Sequence, residues 1–309
     1  MISIVVPLYN EEEVIHESYR RLTEVMKNTG EDYELILVND GSRDKTAYLA
    51  AELAKQDFHV KLICFSRNFG HQIAITAGMD YAKGDAVVII DADLQDPPEV
   101  IPEMIAKWKE GYHVVYGKRI KRHGETLFKK VTAKLFYRFL QHMTQIDIPT
   151  DTGDFRLIDR KVCDAMKRLN EKNRYVRGLV SWVGFKQYAL EYVRDERFAG
   201  ETKYPFKKML KLAMDGVTSF SYKPLKIATF VGFCLSGLSF LYLIFILIQK
   251  LIGIPTAWGW ASLLAVQLFF NGVILIILGI LGAYVGRIYE ECKERPLYIV
   301  QEEIGFEEK

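Results

Sequence analysis

Ile89-Ile90-Asp91-Ala92-Asp93-Leu94-Gln95-Asp96-Pro97-Pro98 is the stretch from which the fold can be read. An apolar run, Ala86–Ile90, stops at two carboxylates spaced i, i+2. A glutamine follows, and a proline pair opens a helical pattern. Short continuous apolar runs read as strands buried on both faces, as in a parallel sheet. Working outward, similar runs recur at Ile2–Leu8, Tyr33–Val38, Val60–Phe65 and Val114–Tyr116, with helical patterns near 11–28, 44–55, 71–83 and 98–110 between them. The alternation predicts an α/β domain on a doubly wound, mainly parallel sheet. Ligands of such sheets bind beyond the carboxyl ends of the strands, which singles out the loops starting at Pro7, Asn39, Ser66 and Asp91.

The 309 residues allow one α/β domain of about 200–220 residues plus something smaller. A half-apolar composition excludes gross disorder. Cys64, Cys163, Cys234 and Cys292 are too scattered for a zinc cluster or a disulfide framework and fit a reducing cytosol. The opening Met1–Pro7 has no basic n-region or cleavage site and reads as a first strand rather than a signal peptide.

Two long apolar runs follow. Ile227–Ile248 is uncharged over 22 residues, about 33 Å as a helix against a hydrocarbon core of ~30 Å. Ala261–Val285 is also uncharged. Lys223 and Lys226 precede the first run, and Arg287, Lys293 and Arg295 follow the second. The connector carries Lys250, Trp258 and Trp260. The positive-inside rule then predicts two spans of the plasma membrane, with both ends and the α/β domain cytoplasmic. The expected divisions are a catalytic domain at 1–202, an interfacial segment at 203–226, two transmembrane helices within 227–286 and a cytoplasmic tail at 287–309.

Two basic stretches flank this arrangement. Lys118–Arg138 has eight Lys/Arg and one Glu, with Leu127, Val131, Leu135 and Phe139 at helical spacing. Lys203–Lys226 has six Lys and one Asp, with Phe206, Leu210, Ala213, Val217 and Phe220 on one face. Each reads as a solvated helix packed on the domain or, beside a membrane anchor, as a face for anionic headgroups; the basic charge would also suit nucleic acid, but the two adjacent spans argue against that partner.

The loops at the strand ends hold the chemistry. After the first strand, Pro7-Leu8-Tyr9-Asn10-Glu11 offers a ring that can stack on a base and a carboxylate that can accept from base or ribose; an Asn10-capped turn would read the same way. Val38-Asn39-Asp40-Gly41-Ser42 sets Asp40 at a second strand end, again compatible with a capped turn. Asp91, Asp93 and Gln95 form an oxygen-only set suited to Mg²⁺ or Mn²⁺ with substrate phosphates. Gly153-Asp154-Phe155-Arg156-Leu157 brackets an aromatic with an acid and a base, which a local ion pair near a strand start would explain. Arg197 and Lys203 flank a Gly-containing loop and can neutralise phosphate or serve as surface charge. Dinucleotide, P-loop and nucleophile-elbow motifs are missing, and the histidines lack metal-ligand spacing.

In order, Val6–Glu11, Val38–Ser42, Ser66-Arg67-Asn68-Phe69-Gly70, Asp91–Pro98 and Gly153–Leu157 resemble the family 2 glycosyltransferases of GT-A fold, in the polyprenyl-phosphate branch. The two apolar runs and Gly286-Arg-Ile-Tyr-Glu290 are similar to bacterial bactoprenol glucosyltransferases. The resemblance implies inverting transfer of one sugar from UDP-glucose or UDP-GlcNAc to undecaprenyl phosphate, with Mg²⁺ or Mn²⁺, for cell-envelope glycosylation. The Q-x-x-R-W motif of processive members is missing, which argues for a single transfer. A GDP-mannose and dolichyl-phosphate pair, or a non-catalytic nucleotide-sugar-binding scaffold, are the alternatives.

By the resemblance Pro7, Tyr9, Glu11, Asp40, Asp91 and Ala92 hold the nucleotide sugar. Asp91, Asp93 and Gln95 serve the metal and diphosphate, while Arg119, Arg156, Arg197 and Lys203 serve phosphates or acceptor. Asp93 and Asp154 are the catalytic acids, Asp154 matching the acid proposed as base. A phosphate monoester with a second pKa of ~6 hardly needs a base at neutral pH. Orientation of the acceptor, the donor sugar or a neighbouring arginine is the alternative role for Asp154. Gly282-x-x-x-Gly286, with Gln267 and Asn271, offers contacts within the helical hairpin or between copies in a homo-oligomer.

Overall fold

The computed structural model describes residues 1–120, 152–194, 221, 223–252 and 259–306. Both basic stretches lie mostly outside these residues, and Arg197, Lys203 and Trp258 lie wholly outside them.

The five expected strands form: β1 Ile2–Leu8, β2 Tyr33–Asn39, β3 Val60–Phe65, β4 Ala86–Ile89 and β5 Val114–Arg119. Three more join them, β6 Thr152–Asp159, β7 Gln187–Tyr192 and β8 Val300–Ile304, in the order β7-β5-β6-β4-β1-β2-β3-β8. The β4-β1-β2-β3 run is parallel, as the buried apolar runs predict. β6 runs antiparallel between β4 and β5, and β8 is an antiparallel edge. The sequence marks a strand start near Gly153, where β6 lies, but not its direction, and β8 was not legible as a strand. The segment set aside as a tail thus supplies the eighth strand.

Helices cover both faces. α1 (Ile15–Thr29), α2 (Thr46–Gln56) and α4 (Ile101–Lys109) lie on one side, α3 (His71–Tyr81), α5 (Arg160–Lys167) and α6 (Val176–Trp182) on the other. Alternation along β1 sends Ile2, Ile4, Val6 and Leu8 into the first core and Val5 into the second. Each fully buried aliphatic contributes about 1.5–3 kcal/mol. α1 begins later than the sequence pattern suggested and ends at Gly30, whose φ of 69° supplies the left-handed cap. The helix after β4 is preceded by a 3₁₀ turn at Pro98–Val100, set by the prolines.

Two long helices follow, α7 (Lys223–Leu251) and α8 (Trp260–Cys292). Within them Lys223–Ile246 and Val266–Cys292, of 24 and 27 residues, are long and apolar enough to cross a membrane. At about 1.5 Å per residue they reach roughly 36 and 40 Å, beyond the ~30 Å hydrocarbon core. Their side chains are not taken up by the domain's cores: Phe230, Phe233, Leu268 and Leu275 are all exposed.

The end of α8 is bound to the α/β domain. The Lys172 N–H donates to Glu291 at 2.8 Å and Lys172 Nζ to the Arg295 carbonyl at 2.7 Å. β8 then pairs with β3, Tyr298 stacks on Phe65 with centroids 5.1 Å apart, and its hydroxyl donates to Asp80 at 3.2 Å. Tyr298→Ala should lower stability by about 2 kcal/mol, combining the ring contact with a half-buried carboxylate left unsatisfied. Tyr298→Phe should lose only part of that. Thermal melts of both variants in detergent check the ranking.

Candidate active site

The register of β6 assembles the site. Ile89, the last residue of β4, pairs with Arg156, so the antiparallel β6 carries Asp154 past the carboxyl end of β4 toward Asp91. On its other side Lys118 pairs with Thr152, which brings Arg119 to the same rim. β7 is parallel to β5 and pairs Tyr192 with Arg119. α3 and α6 both start at this edge, presenting His71, Gln72 and Arg177.

Beyond β4 the burial alternates. Asp91, Asp93 and Gln95 are part-exposed, while Ala92, Leu94 and Asp96 are buried. Leu94 holds φ at 58°, an uncommon left-handed conformation for a non-glycine residue. Asp93 accepts the Gln95 N–H at 3.1 Å. Asp96 is fully buried and gathers three groups: it accepts a hydrogen bond from the Tyr192 hydroxyl, and Arg119 Nη2 and Arg194 Nε each lie 3.4 Å away. Arg119 therefore reaches the rim held by a buried carboxylate.

Asp154 is 5% exposed. Its Oδ1 accepts from Arg177 Nε at 2.8 Å, and its Oδ2 from Arg177 Nη2 and Gln72 Nε2, both at 3.1 Å. His71 Nε2 lies 3.3 Å from the same Oδ2 and 3.4 Å from Asp91 Oδ1. Burial alone would raise the Asp154 pKa, but the Arg177 charge and the His71 and Arg177 hydrogen bonds hold it well below the usual carboxylate range. Burial raises Asp91 to about 6; His71 opposes this, and Asp154, Asp96 and Asp93 reinforce it. For His71, burial favours the neutral ring, yet Asp91 and Asp154 outweigh it and lift the pKa to about 9.

The expected local ion pair between Asp154 and Arg156 does not form. Arg156, expected among the phosphate ligands, is 4% exposed and donates to the Gly153 and Asp154 carbonyls at 2.9 and 3.3 Å. Its guanidinium is taken up by the carbonyls of its own strand, so it braces β6 from within. Asp154 takes its partner from α6 instead.

The other expected nucleotide residues cluster at the ends of β1 and β2. Pro7 is buried within β1 opposite Val38. Tyr9 and Glu11 are part-exposed in the following loop. That loop is laced to the next one: Asn10 N–H donates to Ser42 at 3.0 Å, Arg43 N–H to Asn10 at 2.8 Å and Glu11 N–H to Thr46 at 2.8 Å. Asp40 is 2% exposed and turns inward, accepting from the Phe69 and Gly70 N–H groups at 2.6 and 3.0 Å. Burial raises its pKa despite those bonds. Gly41, at φ 63°, is required beside it: a Cβ would lie 2.5 Å from the Arg67 backbone carbon. Asp40 thus shapes the 66–70 loop that leads into His71.

The residues suit a divalent cation. Asp91 Oδ1 is a buried oxygen without a hydrogen-bond partner, and Asp93 and Gln95 add only oxygen donors. Among the described residues no three acidic, His or Cys side chains close a cage.

The glycosyl transferase family 2 profile matches residues 3–166. Alignment with "Uncharacterized glycosyltransferase YkcC" of Bacillus subtilis gives 66% identity, covering 99% of this chain and 95% of the relative. A bactoprenol glucosyl transferase of Shigella phage SfV is 43% identical over 98% of each chain. Among solved structures, glucosyl-3-phosphoglycerate synthase of Mycobacterium tuberculosis with Mn²⁺, UDP-glucose and phosphoglyceric acid is 20% identical, covers 71% of this chain and 77% of its own, and has a TM-score of 0.45. The chain belongs to glycosyl transferase family 2. It is a glycosyltransferase with a GT-A-like mixed sheet and two apolar helices of membrane-spanning length.

His71, Gln72, Arg177, Tyr192 and Arg194 were not singled out from the sequence as site residues. The only local signal was the position of His71 and Gln72 just after the Ser66–Gly70 motif. His71 gives a test of the electrostatics. Its raised pKa means the folded state binds a proton that the unfolded state releases near pH 6.5, so its stabilisation is complete below ~6.5 and fades as pH rises through about 9. The melting-temperature gap between the wild type and His71→Asn, measured without divalent cation, should therefore narrow between pH 7 and pH 10.

Proposed function

We propose that this enzyme transfers a single sugar from a nucleotide sugar, UDP-glucose or UDP-GlcNAc, to the phosphate of undecaprenyl or another polyprenyl phosphate. The observation that carries the reading is a rim where Asp91, Asp93, Asp96 and Asp154 meet His71, Arg119 and Arg177, on a chain with two bilayer-length helices. The relatives named bactoprenol glucosyl transferase, aligned nearly end to end, support the lipid acceptor. Basic residues flanking the helices support a cytoplasmic face for the catalytic domain and both ends.

In this reading an acceptor phosphate oxygen, anionic at neutral pH with a second pKa of ~6, attacks the anomeric carbon in line. The bond from that carbon to the diphosphate oxygen breaks, the electron pair leaves with the nucleoside diphosphate, and the configuration inverts. Asp91, Asp93 and Gln95 would hold Mg²⁺ or Mn²⁺, which when bound supplies positive charge to the leaving diphosphate. Arg119, steadied by Asp96, lowers the repulsion between two anionic substrates. Tyr9 and Glu11, in the loop that follows β1, lie on the side expected to receive base and ribose. Asp154, saturated and strongly acidic, orients its partners rather than accepting a proton.

The full-length protein in detergent, given UDP-sugars and GDP-mannose separately with undecaprenyl phosphate and Mg²⁺ or Mn²⁺, should yield one sugar–lipid species by mass spectrometry. Asp93→Ala should lower its rate at least about 100-fold, as should removal of divalent cation by a chelator. Undiminished product from Asp93→Ala would overturn the assignment. Product from GDP-mannose alone would replace the donor, and no turnover of any nucleotide sugar would favour a binding scaffold.

A further inference from the structure

Arg177 belongs to no motif in the sequence, yet it is the group that Asp154 is built to hold. Its Nε and Nη2 engage the two carboxylate oxygens at 2.8 and 3.1 Å, and its Nη1 donates to the Thr152 carbonyl at 3.1 Å. Such a two-point grip fixes the plane of a guanidinium as well as its position. The helix that carries it is pinned too. Gln72 donates to Asp154 Oδ2 and accepts the Val176 N–H at 2.9 Å through its Oε1, so one amide ties the start of α6 to Asp154.

Within the pair the guanidinium is the outer member. The Arg177 side chain is 24% exposed and the Asp154 side chain 6%. Asp154 Oδ2 already meets Arg177, Gln72 and His71, and Oδ1 meets Arg177. The pair sits one histidine away from Asp91, since His71 Nε2 lies within 3.4 Å of both carboxylates. Arg119, paired with the buried Asp96 at 3.4 Å, reaches the same rim from the end of β5.

We propose that Arg177 is a phosphate-binding residue of the transfer site and that Asp154 is its positioning residue: the carboxylate sets the guanidinium, and the guanidinium meets a substrate phosphate oxygen. This rests on the transfer reading above. The phosphate is either the diphosphate of the donor or the monoester of the lipid acceptor, and both present the same anionic oxygens to the fork. Arg177 and Arg119 are then two cations at one rim, each backed by a buried carboxylate, Asp154 and Asp96.

The test uses the full chain in detergent or lipid nanodiscs. The variants are Asp154→Asn, Arg177→Lys and the double variant Asp154→Asn/Arg177→Gln, which removes both charges together and leaves no lone buried ion. Binding of UDP with Mg²⁺ and binding of undecaprenyl phosphate are measured separately by calorimetry, so neither readout requires sugar transfer. The double variant should weaken one of the two at least tenfold, which identifies the source of the phosphate. Asp154→Asn, which keeps the guanidinium and one acceptor oxygen, should weaken the same probe less than fivefold. In turnover the loss should fall on the KM of that substrate.

The proposal is overturned if the double variant binds both probes within twofold of the wild type, or if Asp154→Asn alone loses as much as the double. It is equally overturned if the wild type binds neither probe. Should the double variant not fold, Arg177→Lys decides: a tenfold rise in one KM supports the fork, and a change below twofold removes it. A wild type that binds both probes but forms no sugar–lipid product would sink the transfer reading and leave Arg177 as a phosphate ligand.

Discussion

Much of this molecule depends on the antiparallel β6 between β4 and β5. The pairing of Ile89 with Arg156 and of Lys118 with Thr152 fixes where the amino end of β6 meets the carboxyl ends of its neighbours. In a uniformly parallel sheet the rim is served by one strand end and the loop that follows. A reversed strand brings its beginning to the same edge, so Asp154 enters from one direction as Asp91 enters from the other. A slip of one residue would turn Asp154 to the opposite face of the sheet. The register is held by Phe155, Leu157 and Ile158, all fully buried, which fill the two cores alternately.

A rim so rich in carboxylates is stable only because cations are threaded through it. Asp96 is fully buried among Tyr192, Arg119 and Arg194, and Asp154 among Arg177, Gln72 and His71. Removing one partner of such a buried pair typically costs 3–5 kcal/mol. The arrangement also divides the acids: Asp96 and Asp154, the buried ones, hold arginines, while Asp91 and Asp93 keep part-exposed faces, which in the transfer reading would serve a cation and phosphates. The carboxylates of one short segment thus differ in role because burial alternates along it.

The route of the chain after α8 has a mechanical consequence. The last turn of α8 is joined to Lys172, and the following segment returns to the sheet as β8 against β3. A helix of bilayer length is therefore coupled to the domain at its base and, through β3, to the loop that presents His71.

The strands β1 to β5, the order of helices between them and the two apolar spans were legible in the sequence because each rests on local periodicity: continuous apolar runs, helical spacing and length. The Asp91–Gln95 set was legible for the same reason, since its spacing and its place at a strand end are local. β8 was not, and of β6 only a strand start near Gly153 was, because an antiparallel strand inserted far along the chain gains its place and direction from neighbours in space rather than from its own pattern. Residue Arg177 could not be matched to Asp154, nor His71 to Asp91, from order alone, and the neighbouring Arg156 was the misleading candidate. Charge pairing follows distance in the folded state, and only the packing of β6, α3 and α6 at one sheet edge decided which opposite charges came within 2.8 to 3.4 Å.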